Sequence, residues 1–356
     1  RELLRRAIGR FAPEEHLARA RCAVAEAEIA LATREVTGPP RALESALSAL
    51  DARGDRVNAM HARLIAIRRL LLIGRVGEAG AALAEVDLRG MPAPLVALAE
   101  LTTADLAIRS LRARDAHAAL GRARAAAERA HVPALIAEVE EAEAMLARPV
   151  ARRVRAGVEE AITLEALEAS LASSELVVDA CRRAARAGSV YAPLHKRPVL
   201  FALLRMLAES WPHGATRESL IARAFEVRRV NDSHRARLRV EIGRLRRLLA
   251  PVAAVRATAA GFALTPTSGT VTVLLPPIDG DEASLLALLS DGEAWSTSSL
   301  SLALGESQRN VQRALADLEE TGRVRAVGGG RNRRWLAPPV AGFATTLLLP
   351  TTLPFT

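Results

Sequence analysis

The sequence predicts a mainly α fold with small β wings, in which a helical repeat region precedes two compact modules of helices and wing. Three observations predict it. Aromatics are only 3% of 356 residues, so the cores are built from Ala, Leu, Val and Ile, whose small side chains let helices approach closely. A helical pattern recurs at an offset of 37 residues in the first 150. Two later stretches each run helix, helix, helix and then a β-prone hairpin. With 50% hydrophobic and 25% charged residues, a chain disordered throughout is excluded. No apolar run approaches the ~20 residues of a bilayer span.

Residues 1–147 form the repeat region. Leu64, Ile67 and Leu71, then Leu95, Leu98 and Leu101, recur at helical spacing. Breaks fall at Gly38-Pro39-Pro40, Gly54-Asp55, Gly74, Gly90 with Pro92, and Pro133. Glu78-Ala79-Gly80-Ala81-Ala82-Leu83 matches Asp115-Ala116-His117-Ala118-Ala119-Leu120. At the same offset upstream, Ala42, Ser45, Ala46 and Ala49 match Ala79, Ala82, Leu83 and Val86. Stacked hairpins of this kind form solenoids. The region resembles tetratricopeptide arrays, with a longer unit and without that consensus's Trp and Tyr; a generic Ala-rich bundle is the alternative. The resemblance implies a protein partner or a signal bound here. Residues 148–174, with Pro149, the basic group Arg152, Arg153 and Arg155, and Val158, Ile162, Leu167 and Leu171, are expected to be a linker and one connecting helix.

Charge is concentrated next. Of the net +9, residues 175–266 carry 17 basic and 7 acidic residues, a local excess of +10. Such an excess points to a polyanionic partner. Leu176–Val178 and Ser189–Ala192 are β-prone. A helix is expected from Pro198 to Glu209, a second from Arg217 to Phe225 capped by Thr216, and a third from Arg235 to Leu249. A hairpin follows at Val255–Thr258 and Gly261–Leu264. In the third helix Leu238, Ile242, Leu245 and Leu249 share one face. Arg237, Val240, Gly243, Arg244 and Arg247 lie opposite, where arginine forks can meet phosphates or guanine edges and Val240 a thymine methyl.

The stretch 175–266 resembles the winged-helix effector domain of OmpR/PhoB-type response regulators. Val240-x-Ile242-x-x-Leu245-Arg246-Arg247 and Gly261-Phe262-Ala263-Leu264 carry the likeness, with Phe262 where that family has tyrosine. The resemblance implies a sheet, three helices and a wing that together bind double-stranded DNA. The candidate contacts are Arg235, Arg237, Arg239, Val240, Gly243, Arg244, Arg247 and Arg256.

Residues 267–340 hold the second module. Pro266, Pro276 and Pro277 suggest a short stiff connection. Helices are expected at Glu282–Leu289, Thr297–Leu304 and Ser307–Glu320; Asp281 is expected to cap the first rather than to belong to a metal loop. Ser301, Gly305 and Val311 meet the spacing of a helix-turn-helix: a small residue at the crossing, a glycine at the turn and a β-branched plug. Arg309, Gln312 and Arg313 face outward. A wing with a glycine tip follows, bearing Arg323, Arg325, Arg331, Arg333 and Arg334, which suits minor-groove or phosphate contact. This stretch resembles generic bacterial winged-helix regulators. In the β-prone tail 341–356, Phe343–Pro350 echoes Thr270–Pro276, and the two are expected to pair with each other or with another chain.

No enzyme, cofactor or metal site is expected. The seven histidines lack metal-ligand spacing, Gly328-Gly329-Gly330 is not followed by Lys-Ser/Thr, and no GxSxG occurs. The expectation is a cytoplasmic, nucleoid-associated regulator that binds specific duplex DNA. The rival is an interaction scaffold whose winged helices have lost DNA binding. Oligomeric state, operator and effector are not legible. The chain opens on Arg1, as a fragment or a trimmed product would.

Overall fold

The computed structural model describes residues 2–12, 14–37, 41–227, 229–267, 269–277, 282–338, 344 and 349. Of the described residues 57% are helix and 14% strand, which puts the chain in the mainly-α class with small sheets. It divides into two compact units: residues 1–147 with 279–353, and residues 148–278.

Among the described residues the first unit opens with eight helices: α1 (Glu2–Ile8), α2 (His16–Ala32), α3 (Arg41–Ala52), α4 (Arg56–Leu72), α5 (Val76–Ala84), α6 (Ala93–Arg109), α7 (Ala113–Ala130) and α8 (Pro133–Leu146). Helix α7 buries Ala113, Ala116, Leu120, Ala123 and Ala127, a stripe at three- and four-residue spacing whose small side chains let α6 lie close. One type of turn recurs. Arg34, Gly54, Gly74 and Leu111 take left-handed φ, and the amide of the following residue bonds back to a carbonyl five positions earlier. This closes the free carbonyls of each helix end. Among the 37-residue matches, Ala79 and Ala116 are fully buried, whereas Ala42 is exposed.

Asp55 caps α4, accepting from Asn58 and from Arg21 Nε at 2.8 Å. Burial pushes its carboxyl up, but the hydrogen bonds from Arg21 and Asn58 outweigh that and leave it below its ordinary 3.8. The contribution to stability is therefore present above that ordinary value and is lost as pH falls through the lower folded one. Asp55→Ala is expected to cost ~1–2 kcal/mol at neutral pH. Melts of the two proteins at neutral pH and at about pH 3 check this, since the difference should shrink in acid.

In the second unit, β1 (Ala151–Arg155) and β2 (Val158–Ile162) make a hairpin, followed by α9 (Leu164–Ala172), β3 (Leu176–Asp179), β4 (Ala184–Ala187) and β5 (Val190–Pro193). Then come α10 (Pro198–Glu209), β6 (Ala215–Thr216), α11 (Arg217–Phe225), α12 (Asp232–Leu249), β7 (Ala253–Ala257), β8 (Gly261–Pro266) and β9 (Val271–Leu275). Six strands run in the order β2-β1-β9-β3-β4-β5, with β9 parallel to β3 and antiparallel to β1; a second sheet runs β6-β8-β7.

Two expectations are corrected here. The helix expected in residues 148–174 is present as α9, with Leu167 and Leu171 buried, but the stretch before it is a hairpin and not a linker. Arg152 and Arg153 pair across the hairpin with Glu159 and Glu160, and Arg155 pairs with Glu175 at 2.6 Å, so the basic group is neutralised inside a sheet. Val158, expected on a helix face, is an exposed strand residue. Nor are residues 267–278 only a connection, because β9 is buried along its whole length between β1 and β3. Both its edges are taken. The partner expected for it, 343–350, lies outside the described residues except for Ala344 and Leu349.

The first unit resumes with α13 (Ala283–Leu289), α14 (Thr297–Leu304), α15 (Gln308–Glu320), β10 (Arg325–Val327) and β11 (Arg334–Leu336). Residues 38–40 and 278–281, including the expected cap Asp281, lie outside the described residues.

Candidate nucleic-acid interface

Helix α12 starts at a cap in which the Asn231 side chain accepts from the His234 amide at 2.9 Å. Leu238, Ile242, Leu245 and Leu249 are each at most 1% exposed, packed with Leu204, Leu207 and Leu220 from α10 and α11. That stripe turns Arg237, Val240, Arg244 and Arg247 outward, and all four are exposed. Val240 is 54% exposed, a large apolar group left in water. Gly243 is equally telling. A Cβ there would meet nothing within 4 Å and its φ is ordinary, so the fold itself does not require glycine. A mid-helix glycine costs ~1 kcal/mol against alanine. What it provides is room for something outside the chain to approach the backbone.

The hairpin β7–β8 is clamped beside this face. Arg246 Nε donates to the Val255 carbonyl at 2.7 Å, and Arg217 donates to the Ala259 carbonyl at 2.9 Å; the two guanidinium groups lie 5.9 and 5.6 Å from the Phe262 ring centre. Gly261 is forced by close approach, since a Cβ would fall 1.9 Å from the Ala215 carbonyl oxygen where β8 pairs with β6.

The candidate arginines divide into two groups. Arg235 is shared between Asp232 (3.2 Å) and Glu218 (3.8 Å), and Arg244 pairs with Glu241 at 2.8 Å. Arg237 lies 4.3 Å over the Phe225 ring. These exposed pairs are weak and exchange readily for a better anion. Arg239, Arg247 and Arg256 have no hydrogen-bond or ion-pair partner among the described residues. Arg197 escaped the sequence reading. It precedes α10 at the N-cap, and with Arg244 and Arg247 it lines an open cleft of about 730 Å³. The Arg197-Pro198 start of a helix was the available signal. Arg217 and Arg246 were missed because their roles depend on a hairpin distant in sequence.

Comparison of the chain with protein-family models, curated proteins and solved structures found no match. The site therefore stands on its own geometry.

In residues 282–336, Ser296 caps α14 and Ser307 caps α15, with Gly305 at φ +68 between them. Val311, Leu315 and Leu318 are buried, and Ser301 Oγ donates to the Glu306 carbonyl at 2.5 Å. Arg309, Gln312, Arg313 and Arg325 are exposed. Two of the wing arginines already hold partners within the chain. Arg333 bonds to Glu319 at 2.9 Å while covering the Trp335 ring, and Arg334 pairs with Glu35 at 2.7 Å. The carboxylate opposite Arg334 is supplied by the turn after α2, while Arg323 and Arg325 stay exposed. The side chain of Arg331 lies outside the described residues. Among the described residues no helix is long and apolar enough to cross a membrane.

Proposed function

We propose that this protein is a transcriptional regulator that binds specific double-stranded DNA through residues 175–266, acting as a winged helix of OmpR/PhoB-like type with α12 in the major groove. On this reading the helical region is a tetratricopeptide-like array that receives a partner or signal, and the protein works at the nucleoid in the cytoplasm. The observation that carries it is the outward face of α12: arginines flank an exposed valine and a glycine that the fold does not need. Arg239 and Arg256 on the adjoining surface supply further cations, and Arg197 beside α10 suits a phosphate. The local excess of +10 gives the same direction over a longer range.

For residues 282–336 a second reading is favoured by a specific observation. Arg333 and Arg334 are held by Glu319 and Glu35, and Arg34 holds Asp291 at 2.7 Å. This module acts as a protein-contact winged helix seated on the helical region. The test is binding of the full chain to a random-sequence duplex pool at two salt concentrations, followed by sequencing of the retained DNA. Salt-sensitive binding with an enriched motif supports the proposal; absence of binding at low salt overturns it.

A further inference from the structure

The helical region contains a pocket that the DNA-binding reading does not use. Helices α2, α3 and α4 enclose it, the start of α5 closes one side, and its volume is about 660 Å³. Sites for small molecules span ~300–1,000 Å³. The pocket occurs where the repeated packing is left incomplete. Ala79 on α5 and Ala116 on α7 are buried by their neighbours, whereas the matching Ala42 on α3 is exposed and lines this space. Leu47 and Leu70 form apolar walls, and Ala27 and Ala66 keep the interior open.

Six ionisable side chains line the pocket, four glutamates and two arginines, a net −2. Most are matched. Arg75 pairs with Glu78, Glu35 pairs with Arg334, and Arg69 donates to the Val36 carbonyl at 2.6 Å while feeling the charge of Glu44. Glu26 is different. It is half-buried on α2 and has no hydrogen-bond or ion-pair partner among the described residues. A carboxylate at an apolar wall gains most from a cation that brings its own apolar surface.

We propose that this pocket is a binding site for a small organic cation, a protonated amine with an aliphatic or aromatic body, whose ammonium group pairs with Glu26 and whose body lies along Leu47 and Leu70. The rim includes Glu35, so the ligand sits beside the ion pair that ties α2 to β11. The site belongs to the helical region, and its occupancy does not rest on the DNA-binding proposal.

The test uses the full chain without DNA and four probes, hexylamine, 2-phenylethylamine, hexanoate and hexanol, near neutral pH, with binding read by ligand-observed NMR titration. Both amines should bind saturably, and more tightly than hexanoate or hexanol. Glu26→Gln should weaken the amines ~tenfold while leaving hexanol unchanged, as loss of a charge-assisted bond requires. Ala66→Trp should remove binding of all probes by filling the cavity. If that variant fails to fold, Ala27→Leu, a smaller obstruction, takes its place. Hexanoate binding as well as the amines, amine binding unaffected by Glu26→Gln, or no saturable binding by either amine would each overturn the assignment. Because no DNA is present, any of these results leaves duplex binding to be judged separately.

Discussion

Replacing Arg239, Arg247 and Arg256 together by alanine should cost the full chain at least a hundredfold in affinity for duplex DNA and leave its melting curve almost unchanged. These three lack partners within the chain, so removing them breaks no internal ion pair. If each neutralises one phosphate, the log–log salt slope should become shallower by about 2–3, at ~0.9 per contact. Parallel titrations of both proteins on one duplex across a salt series measure the two effects together. The same triple substitution made at Arg53, Arg114 and Arg129 in the helical region, which are exposed and hold no ion pair among the described residues, serves as a charge-matched control. Equal losses from both triples would mean that binding responds only to net charge and that α12 is not the reading surface.

The second large effect concerns Trp295. It is wholly buried, exchanges backbone hydrogen bonds with Trp335 (2.8 and 3.0 Å), and its indole N–H donates to Asp291 at 3.2 Å. Asp291 in turn holds Arg34. Trp295→Ala is expected to cost ~3–5 kcal/mol, the range for emptying a large aromatic site. It should also raise hydrogen exchange across α13–α15 and β11, and release the Arg34 and Glu35 contacts. Exchange confined to the immediate neighbours of residue 295 would show that the indole fills space without anchoring the module.

What could be read in the sequence was local. The bounds of α10 and α11, the Thr216 cap and the buried stripe of α12 follow from prolines, capping residues and 3.6-residue periodicity, which act within a turn or two. The sheet of the second unit was largely hidden. Arg152, Arg153 and Arg155 resemble a solvated basic patch until Glu159, Glu160 and Glu175 are brought alongside. Val158–Ile162 buries only Ile162, so its pattern does not announce a strand. Likewise nothing near Val271–Leu275 indicates that it will lie between strands starting 120 and 95 residues earlier. At the candidate interface the outward face of α12 was legible by rotation about the helix axis. The restraint of Arg244 by Glu241 was a matter of rotamers, and that of Arg334 by Glu35 spans 299 residues.

The first unit is assembled from two stretches of chain with the whole second unit between them. During synthesis helices α1 to α8 emerge before residues 148–278, and the 279–353 stretch follows both. Helices α2 to α8 can form early because their contacts are close in sequence. The seat for Asp291 and Arg334 must then stay empty while about 130 further residues are made. Contacts closed over such long loops form slowly. An intermediate is therefore expected in which the helical region and the 148–278 unit are native and the last three helices are still searching. Its exposed surface, the face of α2 around Arg34 and Glu35, is where a chaperone or a second nascent chain would find its opportunity.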